Sequence, residues 1–254
     1  MGLSKKSQDF LENLRLYLVT GGKKEHEIEE IISELEDHLT EAEMAGKDVE
    51  DIVEKSPKEY MQQLSNEISL DVPTVAKYGL LILLGAFSYI VFGDVLRGGI
   101  EYSFIQIIGY PLVILLNLGL VVATFRYIAS SGAKKTKQWI LFGMLGSVPI
   151  LLFLAVLFLD QYINTTTIKF GTAGNIAAGI LSLGVFIGMA IWSRTWVMIL
   201  FPIFMFGPEL VLKYSNFGEE AKLIGSSFIM FVLIGVYLLF VWRKELRKNK
   251  AETS

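Results

Sequence analysis

Few residues in this chain have types and spacing suited to chemistry, and they lie far apart. The two histidines, His26 and His38, are twelve residues apart, roughly 18 Å along a straight helix axis. They cannot share one metal ion there. His38 stands one helical turn from Glu34, but a His–carboxylate site would need further ligands from another segment, and no metal is expected. Cysteine is absent, which excludes disulfides, thiolate metal sites and a cysteine nucleophile. There is no phosphate-cradling glycine loop with a lysine, no HExxH and no GxSxG. No catalytic residue and no cofactor is expected, and the chain reads as a non-enzyme.

Two polar residues fall inside long apolar runs, where removal from water is costly. Asn117 is mid-run and reads as an interhelical hydrogen-bonding group. Glu209 follows Phe206-Gly207-Pro208, and a proline there frees backbone carbonyls and permits a break. Its carboxylate is either interfacial, facing lipid headgroups, or functional. Asn117 and Glu209 are the candidate functional polar groups within the membrane. A third set is acidic: Glu29, Glu30, Glu34, Glu36 and Asp37 crowd one short stretch. Such a run is either a solvated helix face or a docking face for a basic partner. Its sign repels phosphate, so nucleic acid is not expected as a partner.

The elements that must position these groups divide into two kinds. A spanning helix needs roughly 20 mostly apolar residues. Six stretches qualify: Val75 to Phe92, Phe104 to Phe125, Trp139 to Leu159, Gly171 to Trp192, Thr195 to Leu212 and Leu223 to Trp242. The fifth is short and contains Pro202 and Pro208. Residues 1–72 hold 8 Lys/Arg and 18 Asp/Glu, a net of -10, whereas residues 73–254 hold 15 and 8, a net of +7. The expected organisation is an acidic head over 1–72, a transmembrane domain over 73–243 and a basic tail over 244–254.

Within the head, Phe10, Leu11, Leu14 and Leu18 share one face of a helix over Ser4 to Leu18. Thr20-Gly21-Gly22 breaks it. A second helix runs from about Lys24 to Ala45, with Ile28, Ile31, Ile32, Leu35, Leu39 and Ala42 as its apolar stripe. Gly46 ends it in the left-handed conformation. Asp48 caps a short third helix carrying Val49, Ile52 and Val53. Ser56-Pro57 opens a fourth, reinforced by Glu59, with Tyr60, Leu64 and Ile68 inward. The fold expected is therefore all-α: a small four-helix cytoplasmic head followed by a six-helix transmembrane bundle.

The run Glu34-Leu35-Glu36-Asp37-His38-Leu39, then Glu41-Ala42, Gly46-Lys47-Asp48 and Ser56-Pro57-Lys58-Glu59-Tyr60, resembles the HAAS-type signalling domain over about residues 4–69. Where that family often has Gly-Asp or Gly-Ser before the proline, Lys55-Ser56 stands here. The resemblance implies a small all-α regulatory or sensory module preceding membrane helices, whose genes often neighbour PadR-type repressors. It carries no catalytic residues over to this chain.

Basic residues in short loops set the orientation. Arg126, Lys134, Lys135, Lys137, Arg194, Arg243, Lys244, Arg247, Lys248 and Lys250 fall on one side of a six-span arrangement, against Arg97, Lys169, Lys213 and Lys222 on the other. The first side is cytoplasmic, which places both termini in the cytoplasm of a cell-membrane protein. No apolar signal-peptide core occurs in the first 30 residues. The first span is then expected to direct insertion and leave the head untranslocated. The fourth span is rich in small residues, among them Gly174, Ala178, Ser182, Gly184 and Gly188, which suits close helix packing within the bundle or a homodimer. Besides the bilayer, the expected partner of the acidic face is a basic cytosolic protein or the basic loop at Lys134, Lys135 and Lys137. Two functions follow: a membrane regulator or sensor with a cytoplasmic head, or a small transporter or permease component.

Overall fold

The computed structural model describes residues 3–47, 56–163 and 165–252. It is all-α apart from two three-residue strands. Along the chain run α1 (Lys5–Thr20), α2 (Glu25–Met44), α3 (Pro57–Glu67), α4 (Val72–Arg97), β1 (Glu101–Ser103), α5 (Phe104–Ser131), α6 (Lys135–Ile163), β2 (Thr167–Lys169), α7 (Thr172–Ser193), α8 (Val197–Lys213) and α9 (Glu219–Glu252). Backbone contacts group these into two compact units, Met1–Leu83 with Ser103–Thr166, and Leu84–Tyr102 with Thr167–Ser254.

The first unit begins with the head. Ser4 caps α1 by accepting the Ser7 N–H at 3.3 Å. The expected face is the buried one: Leu14 and Leu18 are fully enclosed, with Phe10, Leu11 and Tyr17 beside them. From α2 come Ile28, Leu35 and Leu39, with Ile31 and Ile32 partly buried. Ser56 caps α3 through the Glu59 N–H, with Pro57 in its first turn. That helix adds Met61 to the core, and Ile68 follows it. Tyr17 and Met61 are core residues outside the set expected from the sequence. Gly46 takes φ +76° at the end of α2, as expected. The helix expected around Asp48, with Val49, Ile52 and Val53, lies outside the described residues, so three head helices are described.

The head closes on itself before the membrane segment begins. Lys23 and Leu70 form an antiparallel bridge. Asp71 N–H donates to the Gly22 carbonyl at 2.9 Å, and Lys23 Nζ to that of Ile68 at 2.8 Å. Gly22 is needed there twice over. Its φ is +67°, and a Cβ would sit 2.7 Å from Val75 Cγ2. The core also takes in a residue from beyond the head: Ala129, 3% exposed, near the end of α5.

α5 starts with a capping box, Ser103 with Gln106, and ends at Gly132 in the left-handed conformation. It pairs with α6 as an antiparallel hairpin. Tyr110 meets Phe153 and Phe125 meets Phe142, with ring centroids 5.6 and 6.1 Å apart. At Gly109 a Cβ would lie 2.8 Å from Val156, so the crossing depends on that hydrogen.

In the second unit the directions of the helices follow from their contacts. Tyr89 packs on Phe201 and Phe92 on Phe206, and Arg97 reaches Glu209, so α4 and α8 run parallel. Phe92 meets Phe186, and a Cβ on Gly85 would touch Met189 at 3.1 Å, so α7 runs against α4. Phe204 meets Tyr237, and Leu212 meets Gly225, so α9 runs against α8. The packed face of α7 is Gly179, Ser182, Phe186 and Ala190. Gly184 and Gly188, expected to line a contact, face open space instead.

Five helices among the described residues are long and apolar enough to cross a membrane: Val72–Arg97, Phe104–Ser131, Lys135–Ile163, Thr172–Ser193 and Glu219–Lys244. At most 17% of any of their apolar windows is buried within the protein. Water would not tolerate so much exposed hydrocarbon. The sixth candidate, Thr195 to Leu212, is also helical, but α8 has 17 residues, or about 25 Å at 1.5 Å each. It continues through both Pro202 and Pro208 rather than breaking.

Candidate functional site

A group of polar side chains in the second unit gathers where α4 and α8 end. Running parallel, the two helices bring Arg97 and Glu209 together. The guanidinium donates from Nε to one carboxylate oxygen at 3.0 Å and from a terminal nitrogen to the other at 3.1 Å. This two-pronged geometry is the strong form of the pair. The guanidinium also lies 5.7 Å from the centre of the Phe206 ring. Phe206 fits because Gly93 has no side chain: a Cβ there would come within 2.9 Å of the ring.

Nearby groups hold the α4 end in shape. The Tyr102 hydroxyl donates to Asp94 at 2.6 Å. Lys169 pairs with Glu101 at 2.8 Å across the two short strands. Asn175 Oδ1 accepts the Ile100 N–H at 2.8 Å, and its Nδ2 donates to the Phe170 carbonyl at 3.0 Å. Gly98 and Gly99, with φ of +157° and +120°, turn the chain into β1.

Of the sequence candidates, Glu209 is thus joined to an opposite charge. Asn117, in α5, belongs to the other unit, and its Oδ1 is buried with no hydrogen-bond donor among the described residues. Glu29, Glu30, Glu34, Glu36 and Asp37 are all exposed on α2. Glu29 is ion-paired with Arg15 of α1. Glu34 lies 3.8 Å from His38. Glu29 and Glu36 border a groove of about 590 Å³ between α1 and α2, with Leu11, Arg15 and Ile32 beside them.

Arg15, Glu27 and Glu43 show the electrostatics of the head. The hydrogen bond from Arg15 to Glu29 raises the guanidinium above its ordinary value. Glu27 accepts the Ser69 N–H, and that bond holds its carboxyl below the usual range, aided by Lys24. Glu43 is held low by the Ser4 and Ser7 donors, with Ser7 Oγ at 2.5 Å. Because those groups sit at the start of α1, Glu43 places negative charge against that helix's positive end.

Sequence reasoning missed two features. Arg97 counted only as a loop charge. Yet Arg97 ends α4 and Glu209 lies near the end of α8, 112 residues on, a separation that no local spacing marks as a pair. The second feature is the seat of the head on α5. The Arg126 guanidinium lies 4.5 Å from the centre of the Tyr17 ring, one turn before Ala129 enters the head core. No local pattern marks such a contact.

Residues 89–204 match the family described as the HAAS transmembrane region. The match runs from within α4 into α8, taking in Arg97 and Asn117 but neither Glu209 nor the head. No curated protein and no solved structure matches the chain. With five apolar helices and this similarity, the chain is a membrane protein.

Proposed function

We propose that this chain is a multi-pass regulator of the cell membrane, with six spans, both termini in the cytoplasm and a HAAS-like acidic head as its protein-interaction module. The observation that carries the reading is the seat of the head. Ala129 of α5 fills its core and Arg126 covers Tyr17, so a shift of the α5–α6 hairpin moves the surface that the head presents. The match to a HAAS transmembrane region supports the same reading from a segment that does not overlap the head resemblance.

The parallel course of α4 and α8 supports six spans. α7 and α9 both run opposite to α4 and α8, and two spans of the same direction need a crossing between them. α8 supplies it. Its 17 residues are fewer than usual, a shortfall that local thinning of the bilayer accommodates.

The partner face is Glu29, Glu30, Glu34, Glu36 and Asp37, and its partner is a basic protein surface or the loop at Lys134, Lys135 and Lys137. Exposed charges are screened within about 8 Å at physiological salt, so docking weakens as salt rises. The test is crosslinking of the head in intact membranes with identification of captured peptides. Glu29→Lys with Glu36→Lys should reduce capture while leaving helicity intact. Capture insensitive to both the reversals and high salt rejects electrostatic docking.

A further inference from the structure

An open groove of about 680 Å³ lies in the second unit, bounded by the end of α4, the end of α8 and the start of α9. Its walls differ in chemistry. Phe206, Leu223 and Met230 make it apolar, whereas Lys213 and Lys222 offer donors. Three cations border it (Arg97, Lys213 and Lys222) against two carboxylates, Glu209 and Glu219. Arg97 and Glu209 satisfy each other. Lys222 reaches Glu219, a carboxylate 90% exposed, at 3.0 Å and the Lys213 carbonyl at 3.5 Å, bonds that leave one ammonium donor over. Lys213 has no ion pair among the described residues. Its Nζ donates to the Leu96 carbonyl at 3.3 Å, which leaves ammonium donors to spare.

The surroundings indicate depth. Tyr214 and Phe217, in the turn between α8 and α9, are 87% and 62% exposed. Exposed aromatics at a helix end mark the headgroup level. From there α9 continues with outward Leu223, Ile224 and Phe228. A phosphate at that level would stand beside the lysines, with apolar chains along the wall.

We propose that this groove binds the phosphate of an anionic amphiphile, held chiefly by Lys213 and secondly by Lys222, with an apolar chain against Phe206, Leu223 and Met230. The recognising chemistry is a phosphate anion, and the apolar wall favours a phospholipid over free phosphate. The site stands on the second unit alone, independent of how the head works.

The test is native mass spectrometry of the full-length protein in detergent with phosphatidylglycerol or phosphatidylcholine at equal concentration. The neutral lipid shares the phosphate but masks its charge. Phosphatidylglycerol should be retained about tenfold better, and Lys213→Gln should remove most of that preference, since a hydrogen bond to a charged group carries about a tenfold effect. Lys213→Arg should keep it, as should Lys244→Gln at the far end of α9. Unchanged thermal midpoints show that the variants fold. A separate arm adds inorganic phosphate. If it leaves the lipid in place, the ligand is the phospholipid. If it protects the wild type against unfolding, but not Lys213→Gln, the same lysine site takes free phosphate. Equal retention of both lipids with no phosphate effect overturns the proposal. So does a preference that survives Lys213→Gln combined with Lys222→Gln.

Discussion

Glu43 shows how much one side chain contributes to the small head. It reaches from the end of α2 to the start of α1, taking both the Ser4 N–H and the Ser7 hydroxyl. Those bonds lower its pKa, and Glu27 is lowered likewise by the Ser69 N–H. A carboxylate with a depressed folded pKa adds stability above its unfolded value, about 4.3 for glutamate, and loses it as pH falls through the folded value. Calorimetry of the full protein in detergent should therefore show Glu43→Gln melting below the wild type at pH 7. The two should converge in acid, below the folded pKa. A gap that stays constant into acid would mean that the side chain acts by packing instead. Arg97 and Glu209 allow a parallel test. Both are about half exposed, so their coupling in a double-mutant cycle should be modest, up to about 1 kcal/mol. Swapping the two charges should recover much of the loss. The partners of Glu43 and Glu209 had no counterpart in sequence spacing, because each bond joins residues remote in the chain.

The helices and their caps were far more legible than their contacts. Ser4, Ser56-Pro57 and Gly46 mark element ends by local chemistry, and the head's amphipathic faces carry a clear period, so Leu35 and Leu39 were placed inward correctly. Leu35→Asp should unfold the head, costing about 3 kcal/mol or more, because it buries an unpaired charge. Loss of the low-temperature calorimetric transition would record it. In the membrane helices the period gives nothing. α4, α5 and α6 are apolar all round, since lipid and neighbouring helices demand the same residue types, so no face stands out. Gly109 is the example: nothing in its sequence context separates it from Gly119, yet only Gly109 meets a neighbour, Val156. Gly109→Leu should force the α5–α6 crossing apart at about 1–3 kcal/mol, whereas Gly119→Leu should be near neutral. Equal effects on the thermal midpoint would show that the hairpin crosses elsewhere.

At the scale of the molecule the open quantity is the number of crossings, and it turns on α8. Counting by length gives five spans, because 17 residues with two prolines fall short of an ordinary bilayer. The proposed count of six rests on direction: α8 lies parallel to α4, and α7 and α9 both oppose it. Charge agrees with the second count. If α8 failed to cross, Arg243, Lys244, Arg247, Lys248 and Lys250 would follow α9 to the side opposite Lys134 and Lys135, against the usual bias of cytoplasmic loops. Trp196 at the start of α8 and Lys213 with Tyr214 at its end are the residue types that anchor a short span at both interfaces. Reporter fusions after Ile100, Gly132, Thr165, Phe217 and Lys250 separate the counts. Six spans put Gly132 and Lys250 in the cytoplasm and the other three outside. With five, Gly132 stays inside but the Lys250 reporter becomes active outside and the Phe217 reporter falls silent. That pair of readings together would show α8 to be a helix that enters the membrane without crossing it, and would place the N- and C-termini on opposite faces.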